Sequence, residues 1–405
     1  MLSVSNLLTG HTSGNERLRY GHTRAATTHG NGQGHAAAPA EGPPRPVVAW
    51  AITKRCNLKC VHCYASATAD AAPGELTTDE ALRLLDDLRG YGCPAVLVSG
   101  GEPLCRPDAF TLLQHAHAIG LPTTLSTNGT LIDDATADRI AAAKVRYVGV
   151  SIDGLRPQHD KLRGLAGAFD ATLASVHRLR RRGVRVGLRF TIHALNHRHL
   201  DDVFDLALSH QIDRLCVYHL AYAGRGEGMQ RVDLTPEQTR AAVDRILRRT
   251  QQAHDAGTPL EVLTVGNHAD AAYVLLHLSK HNPDRLPWAH RMLSGTGGNR
   301  SGCHIASIDP VGDVHYDQFS WHYTCGNIRQ QPFSELWAHP TDPRLQLLRN
   351  RTAHLPPRCQ QCQFLGVCNG NLRTRAEAAT GNWLGHDPAC YLTDEETTAG
   401  VAVPA

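Results

Sequence analysis

At 405 residues the chain is long enough for a large α/β domain plus a smaller one, each with a buried core. Its formal charge of +3 is small for that length and no basic face interleaves with aromatics, which argues against nucleic acid as a partner. Apolar runs are of strand length, far below the roughly 18 residues that cross a bilayer, and the start has no charged-then-apolar leader, so a cytoplasmic protein without a membrane partner is expected.

Residues 1–45 are rich in Gly, His, Thr, Ala and Pro around one short apolar patch at residues 4–8. So little apolar surface does not offset ordering entropy, and a mostly disordered segment is expected. A β/α alternation then begins. Residues 47–52 read as a strand, followed by a loop with Cys56, Cys60 and Cys63, and Thr77-Thr78-Asp79-Glu80 opens a helix with Ala81, Leu84, Leu85 and Leu88 at helical spacing. Residues 95–98 form the next strand and run into Gly100-Gly101-Glu102-Pro103; further strands fall at 122–126, 147–152, 184–192 and 215–219. Six βα units of this kind predict parallel strands with helical crossovers, with the chemistry on the loops after the strands' carboxyl ends. A helix over 235–255, a strand at 261–265 and a helix over 270–278 complete a barrel domain assigned to 46–294. Past the Gly-rich hinge at 295–298 the composition shifts toward Cys, His and Asn, which marks a smaller domain over 295–396 and a tail at 397–405.

Twelve cysteines without a secretory leader read as metal ligands and free thiols. The loop Cys56-Asn-Leu-Lys-Cys60-Val-His-Cys63 can hold three irons of a [4Fe–4S] cube and leave the fourth open; a zinc loop is the rival. Arg189, inside an apolar strand, must be paired or solvated within the barrel, and its fork suits a carboxylate. Ser126-Thr-Asn128-Gly and Ser151-Ile-Asp153-Gly end strands with polar side chains able to bind a ligand, or serve as ordinary turns. Cys359, Cys362, Cys368 and Cys390 form a second four-thiolate set suited to a closed iron–sulfur cluster or to zinc. Cys93, Cys105 and Cys216 are taken as small buried hydrophobes; Cys303 and Cys325 are incidental thiols or metal ligands.

The cysteine triplet with its Gly-Gly-Glu-Pro turn resembles the radical S-adenosylmethionine (SAM) enzymes. That resemblance implies an open six-unit β/α barrel, SAM chelated on the open iron, and its reductive cleavage to a 5′-deoxyadenosyl radical by a low-potential donor such as ferredoxin or flavodoxin. It places His62 beside the cluster and adenine, Gly100, Gly101 and Glu102 at the methionyl ammonium, and Ser126, Asn128, Ser151, Asp153 and Arg189 around the rest of SAM. The C-terminal set is similar to the auxiliary-cluster half of SPASM and twitch domains, which implies a second [4Fe–4S] cluster on Cys359, Cys362, Cys368 and Cys390. Asp317 and Leu372 stand where a further cluster would need cysteine, so one auxiliary cluster is expected.

Longer strings narrow the branch. Val217-Tyr-His-Leu-Ala-Tyr-Ala-Gly-Arg-Gly226, Leu263-Thr-Val-Gly-Asn-His-Ala-Asp270 and the stretches at 308–319, 321–328, 375–383 and 387–395 resemble radical SAM proteins of haem d1 biosynthesis and the alternative haem pathway, over residues 46–396. The resemblance implies an iron tetrapyrrole substrate, 12,18-didecarboxysirohaem, losing propionate side chains. Its candidate contacts by motif position are His219, Arg225, His268, His315 and His322, although a histidine is by default structural or superficial. A maturase of a ribosomally made peptide is the alternative; the first 45 residues are too short and unpatterned for a peptide-recognition domain.

Overall fold

A computed structural model describes residues 1–12 and 43–398. Eleven strands form one sheet: β1 (Leu2–Ser3), β2 (Val47–Ala51), β3 (Val96–Ser99), β4 (Thr123–Thr127), β5 (Val148–Ser151), β6 (Val186–Ile192), β7 (Arg214–His219), β8 (Glu261–Val265), β9 (Ile305–Ile308), β10 (Asp313–His315) and β11 (Gly326–Asn327). Strands β2 to β8 pair in parallel with their sequence neighbours, so the six expected units are present and β8 adds a seventh strand. The order is linear, from β1 at one end to β11 at the other, which leaves the barrel open. Helices cover the outer face, and their starts follow the sequence signals: Thr77 with Glu80 and Thr235 with Gln238 form capping boxes for Thr78–Tyr91 and Pro236–Asp255.

The sheet continues across the hinge expected at 295–298. Strand β9 pairs in parallel with β2, Val47 opposite Ile305 and Trp50 opposite Ile308, and the antiparallel β10 and β11 extend that edge. The C-terminal segment is thus fixed to the barrel by backbone hydrogen bonds.

The expected disorder over 1–45 does not hold at its beginning. β1 pairs antiparallel with β8, Leu2 opposite Thr264, and helix Val4–Thr9 buries Val4 and Leu7 completely before Gly10 ends it in the left-handed region at φ 78°. Arg285 donates to the carbonyls of Asn6 and Leu7. The patch is too short to fold alone, but a parallel sheet's open edge supplies both a hydrogen-bond ladder and an apolar floor. Residues 13–42, and 399–405 of the tail, lie outside the described residues.

Two glycines shape the barrel interior. A Cβ on Gly149 of β5 would lie 2.1 Å from Arg189 Nε, and one on Gly187 of β6 2.2 Å from Tyr147 Oη, so their absence makes room for two large polar side chains. Among the described residues no helix is long and apolar enough to cross a membrane.

Candidate active site at the carboxyl ends of the strands

The cysteine loop leaves β2 and is held from two sides. Gly101 N–H donates to Thr53 O at 2.7 Å and Glu102 N–H to Arg55 O at 2.8 Å; a Cβ on Gly100 or Gly101 would lie 2.5 or 2.3 Å from Thr53 O or Arg55 O. These glycines are therefore demanded by backbone packing against the loop's stem, as well as bordering the cavity beyond it. On the other side Arg225 N–H donates to Cys63 O at 3.0 Å, and its guanidinium to Cys60 O at 2.8 Å and Ala67 O at 2.7 Å. Arg225, expected to meet substrate, braces the loop through Nε and Nη1, while its Nη2 is buried without a partner beside the cavity.

Each loop sulfur meets a hydrogen-bond donor. Leu58 N–H lies 3.4 Å from Cys56 Sγ, Ala67 N–H 3.5 Å from Cys63 Sγ, and Arg163 Nη1 3.6 Å from Cys60 Sγ. All three thiols are unpaired, and burial pushes Cys56 up to about 12 and Cys60 above the usual thiol range. Thiols that burial makes costly to ionise, as at Cys56 and Cys60, and that face N–H donors suit an iron–sulfur cluster, whose irons supply the missing positive charge.

Gly100, Gly101, Ser126, Asn128, Ser151 and Arg189 line one cavity with the three cysteines and His62. Arg189 donates to Ser126 Oγ, while its Nε is buried without a partner; among the described residues no carboxylate pairs with it. A buried cation short of an anion fits a carboxylate-bearing ligand such as SAM. His62 is held neutral by burial, which pushes it down to about 4, and its Nε2 lies 3.4 Å from Asp153 Oδ2.

Two expected contacts stand behind the wall. Glu102 accepts from Thr127 Oγ1 and Asn128 N–H, both at 2.8 Å, and burial pushes its carboxyl up to about 7. Asp153 is fully buried, 2.7 Å from Arg163 Nε; burial opposes its charge, but the Arg163 guanidinium outweighs this and holds it below the usual carboxylate range. Neither carboxylate borders the cavity. They fix Asn128, Arg163 and His62, which do.

Of the five substrate candidates only His219 and the loop-bracing Arg225 reach the cavity. His268 precedes helix Ala269–His281, and burial pushes it down to about 3. His315 is buried, with Nδ1 2.6 Å from Tyr323 O, and stacks on Trp321; His322 is exposed and pairs with Glu377 at 3.0 Å. In their place the fold supplies residues the motifs did not name. Tyr64, beside Cys63, meets Phe319 edge-on at 5.4 Å, and Phe319 with Gln318 brings the C-terminal segment to the cavity. Tyr64 carries a signal as the aromatic next to Cys63; Arg163, one of several basic residues on a short helix, carries none.

Cys359, Cys362, Cys368 and Cys390 border a second cavity. Arg358 Nη1 lies 3.5 Å from Cys390 Sγ, and burial pushes Cys368 far above the usual thiol range. The donor set here is four half-buried thiols with a cation beside them, which suits a fully ligated cluster. Asp317 accepts from Ser301 Oγ at 2.6 Å and Leu372 is buried; neither they nor Cys303 and Cys325 border this cavity.

A barrel whose strand ends carry this thiol triplet, joined to a second four-thiol site, defines a radical SAM enzyme with a C-terminal iron–sulfur domain. The Radical SAM superfamily profile matches residues 50–207, and that of SPASM, an iron–sulfur cluster-binding domain, residues 300–363. The chain is 45% identical over 401 residues to Fe-coproporphyrin III synthase of Methanosarcina barkeri, covering 98% of each, and 44% identical over 361 residues to Pre-heme d1 synthase of Dinoroseobacter shibae, covering 88% of this chain and 89% of that one. It belongs to the radical SAM family that these two enzymes represent, with iron–sulfur clusters and SAM as its cofactors. The fold is that of Streptococcus suis SuiB bound to S-adenosylmethionine, at a TM-score of 0.67 and 18% identity over 87% of this chain and 78% of that one.

Proposed function

We propose that this radical SAM enzyme removes carboxylated side chains from an iron tetrapyrrole, specifically propionates from 12,18-didecarboxysirohaem. The observation that carries the reading is the match at 45% and 44% identity, over nearly the whole chain, to two enzymes named for tetrapyrrole products. The cavity supports it: an aromatic pair, Tyr64 and Phe319, faces a polar wall with Arg189 and His219, which suits a flat ring with acidic arms.

When bound, the cluster and SAM supply a 5′-deoxyadenosyl radical. The chain's own residues do the rest. Arg189 and Ser126 orient the SAM carboxylate, Asn128 and Ser151 border its other polar groups, and Arg163 with the Leu58 and Ala67 amides offsets charge on the sulfurs. Cys359, Cys362, Cys368 and Cys390 hold the auxiliary cluster. A low-potential donor such as ferredoxin or flavodoxin supplies electrons, and a reducing cytoplasm suits twelve cysteines that are all free.

The test is anaerobic incubation of reconstituted protein with SAM, reductant and 12,18-didecarboxysirohaem, followed by mass analysis of the tetrapyrrole. Loss of propionates is expected. A product that keeps all four propionates, as a coproporphyrin does, overturns the propionate assignment. Unchanged tetrapyrrole alongside SAM cleavage overturns the substrate class and points to a peptide.

A further inference from the structure

His219 reaches the cavity, and nothing in SAM binding uses it. It ends β7, and its Nε2 lies 2.9 Å from Oδ2 of Asp270. Asp270, fully buried in the first turn of helix Ala269–His281, accepts on its other oxygen from Tyr391 Oη at 2.9 Å. Tyr391 adjoins Cys390, so the chain of hydrogen bonds runs from the cavity to the auxiliary site. With both oxygens engaged, Asp270 is fixed, and its charge places the imidazole hydrogen on Nε2. Nδ1 is left over: among the described residues it has no hydrogen-bond partner. A buried carboxylate that fixes one nitrogen of a histidine bordering a reaction cavity, and leaves the other without a partner, is the geometry of a proton-transferring histidine.

We propose that His219 is a catalytic residue that delivers a proton to the tetrapyrrole, with Asp270 and, through it, Tyr391 as positioning residues. The inference rests on the substrate reading above and assigns it a step. Hydrogen abstraction α to a propionate carboxylate lets the bond to the ring break homolytically; acrylate leaves, and one unpaired electron stays on the ring carbon. One electron from a low-potential iron–sulfur reductant and one proton from Nδ1 of the imidazolium then form the ring C–H bond. Water reprotonates the imidazole.

The experiment uses reconstituted full-length protein with SAM, dithionite and 12,18-didecarboxysirohaem in D2O. The wild type is expected to give product deuterated at each vacated ring position. His219→Ala, and His219→Gln as a second variant in case the first folds poorly, should keep iron content and 5′-deoxyadenosine release while tetrapyrrole product falls about 10²-fold. Added imidazole should restore product in His219→Ala, a rescue that a merely structural role would not show. Asp270→Asn should lower product at unchanged iron content, without rescue by imidazole. Wild-type product yield in both His219 variants overturns the proposal. So does an unrescued loss accompanied by a shifted visible spectrum of the bound tetrapyrrole, which would make His219 an iron ligand. An inert wild type overturns the substrate reading itself, and so is distinguishable from failure of His219 alone.

Discussion

Arg163 points Nη1 at the Cys60 sulfur, 3.6 Å away, while its Nε holds Asp153 at 2.7 Å. One side chain thus offsets charge on the Cys60 sulfur, a proposed cluster ligand, and on a fully buried carboxylate. Replacing it by Met leaves Asp153 with only His62, which burial keeps neutral. Losing one partner of a buried ion pair costs about 3–5 kcal/mol, since the other charge stays unpaired. Urea unfolding of iron-free Arg163→Met should show that loss, and Asp153→Asn added to it should recover part. A single variant as stable as wild type would mean the pair is solvated.

The space beside Arg189 is set by Gly149, where a Cβ would lie 2.1 Å from Arg189 Nε. Gly149→Ala should therefore displace the guanidinium without a backbone penalty. Loss of a charged hydrogen bond to a ligand carboxylate costs about 1.5–3 kcal/mol, or roughly tenfold to a hundredfold in SAM affinity. Calorimetric titration with SAM should show this, with Arg189→Met behaving alike. Gly228→Ala, where a Cβ would meet nothing within 4 Å, is the control. Equal SAM affinity in Gly149→Ala and Gly228→Ala would remove Arg189 from the ligand.

What was legible in the sequence was whatever depended on local spacing. Cys56, Cys60 and Cys63 share one loop, and Cys359, Cys362 and Cys368 one short stretch, so neighbours in sequence are neighbours at the site. Capping boxes at Thr77 and Thr235 and the apolar runs of β2 to β8 are local in the same way. What the sequence hid depends on which way a side chain turns after the chain has folded. Glu102 and Asp153 sit within strings that the family resemblance assigns to SAM but turn inward, because each finds donors there, Asn128 N–H for one and Arg163 for the other. Arg225 lies in a branch-specific string, yet in the fold that string clamps the cysteine loop, with a Cβ on Gly224 falling 2.3 Å from Tyr64 O. The edge that orders Leu2 to Leu8 exists only once β8 is in place.

His268 tests whether a motif histidine is structural. Burial holds it down to about 3, well below its ordinary 6.5, so the unfolded chain takes up a proton that the folded one refuses. Its contribution is present above pH 6.5 and is lost as pH falls toward 3. Relative to His268→Leu, the wild type should therefore lose roughly 3 kcal/mol between pH 7 and pH 4, read from urea midpoints at each pH. His268→Leu should also turn over tetrapyrrole normally at pH 7. A pH-independent difference in stability, or a selective loss of turnover, would return His268 to the cavity.

The N-terminal residues make the last prediction, because their order depends wholly on packing. Leu7 is fully buried, and its helix rests between β8 and the long helix Pro236–Asp255, with Arg285 holding the helix's carbonyls. Leu7→Ala removes buried methyl groups and leaves a cavity that a segment hydrogen-bonded to β8 does not readily fill, at a cost of about 2–5 kcal/mol. Deleting residues 1–12 would do more, since the backbone edge of β8 opens to solvent where a second chain can pair with it. The deletion should aggregate on mild heating before the wild type does, measured by light scattering. A disordered, dispensable start would instead leave both the Leu7→Ala midpoint and the aggregation temperature of the deletion at their wild-type values.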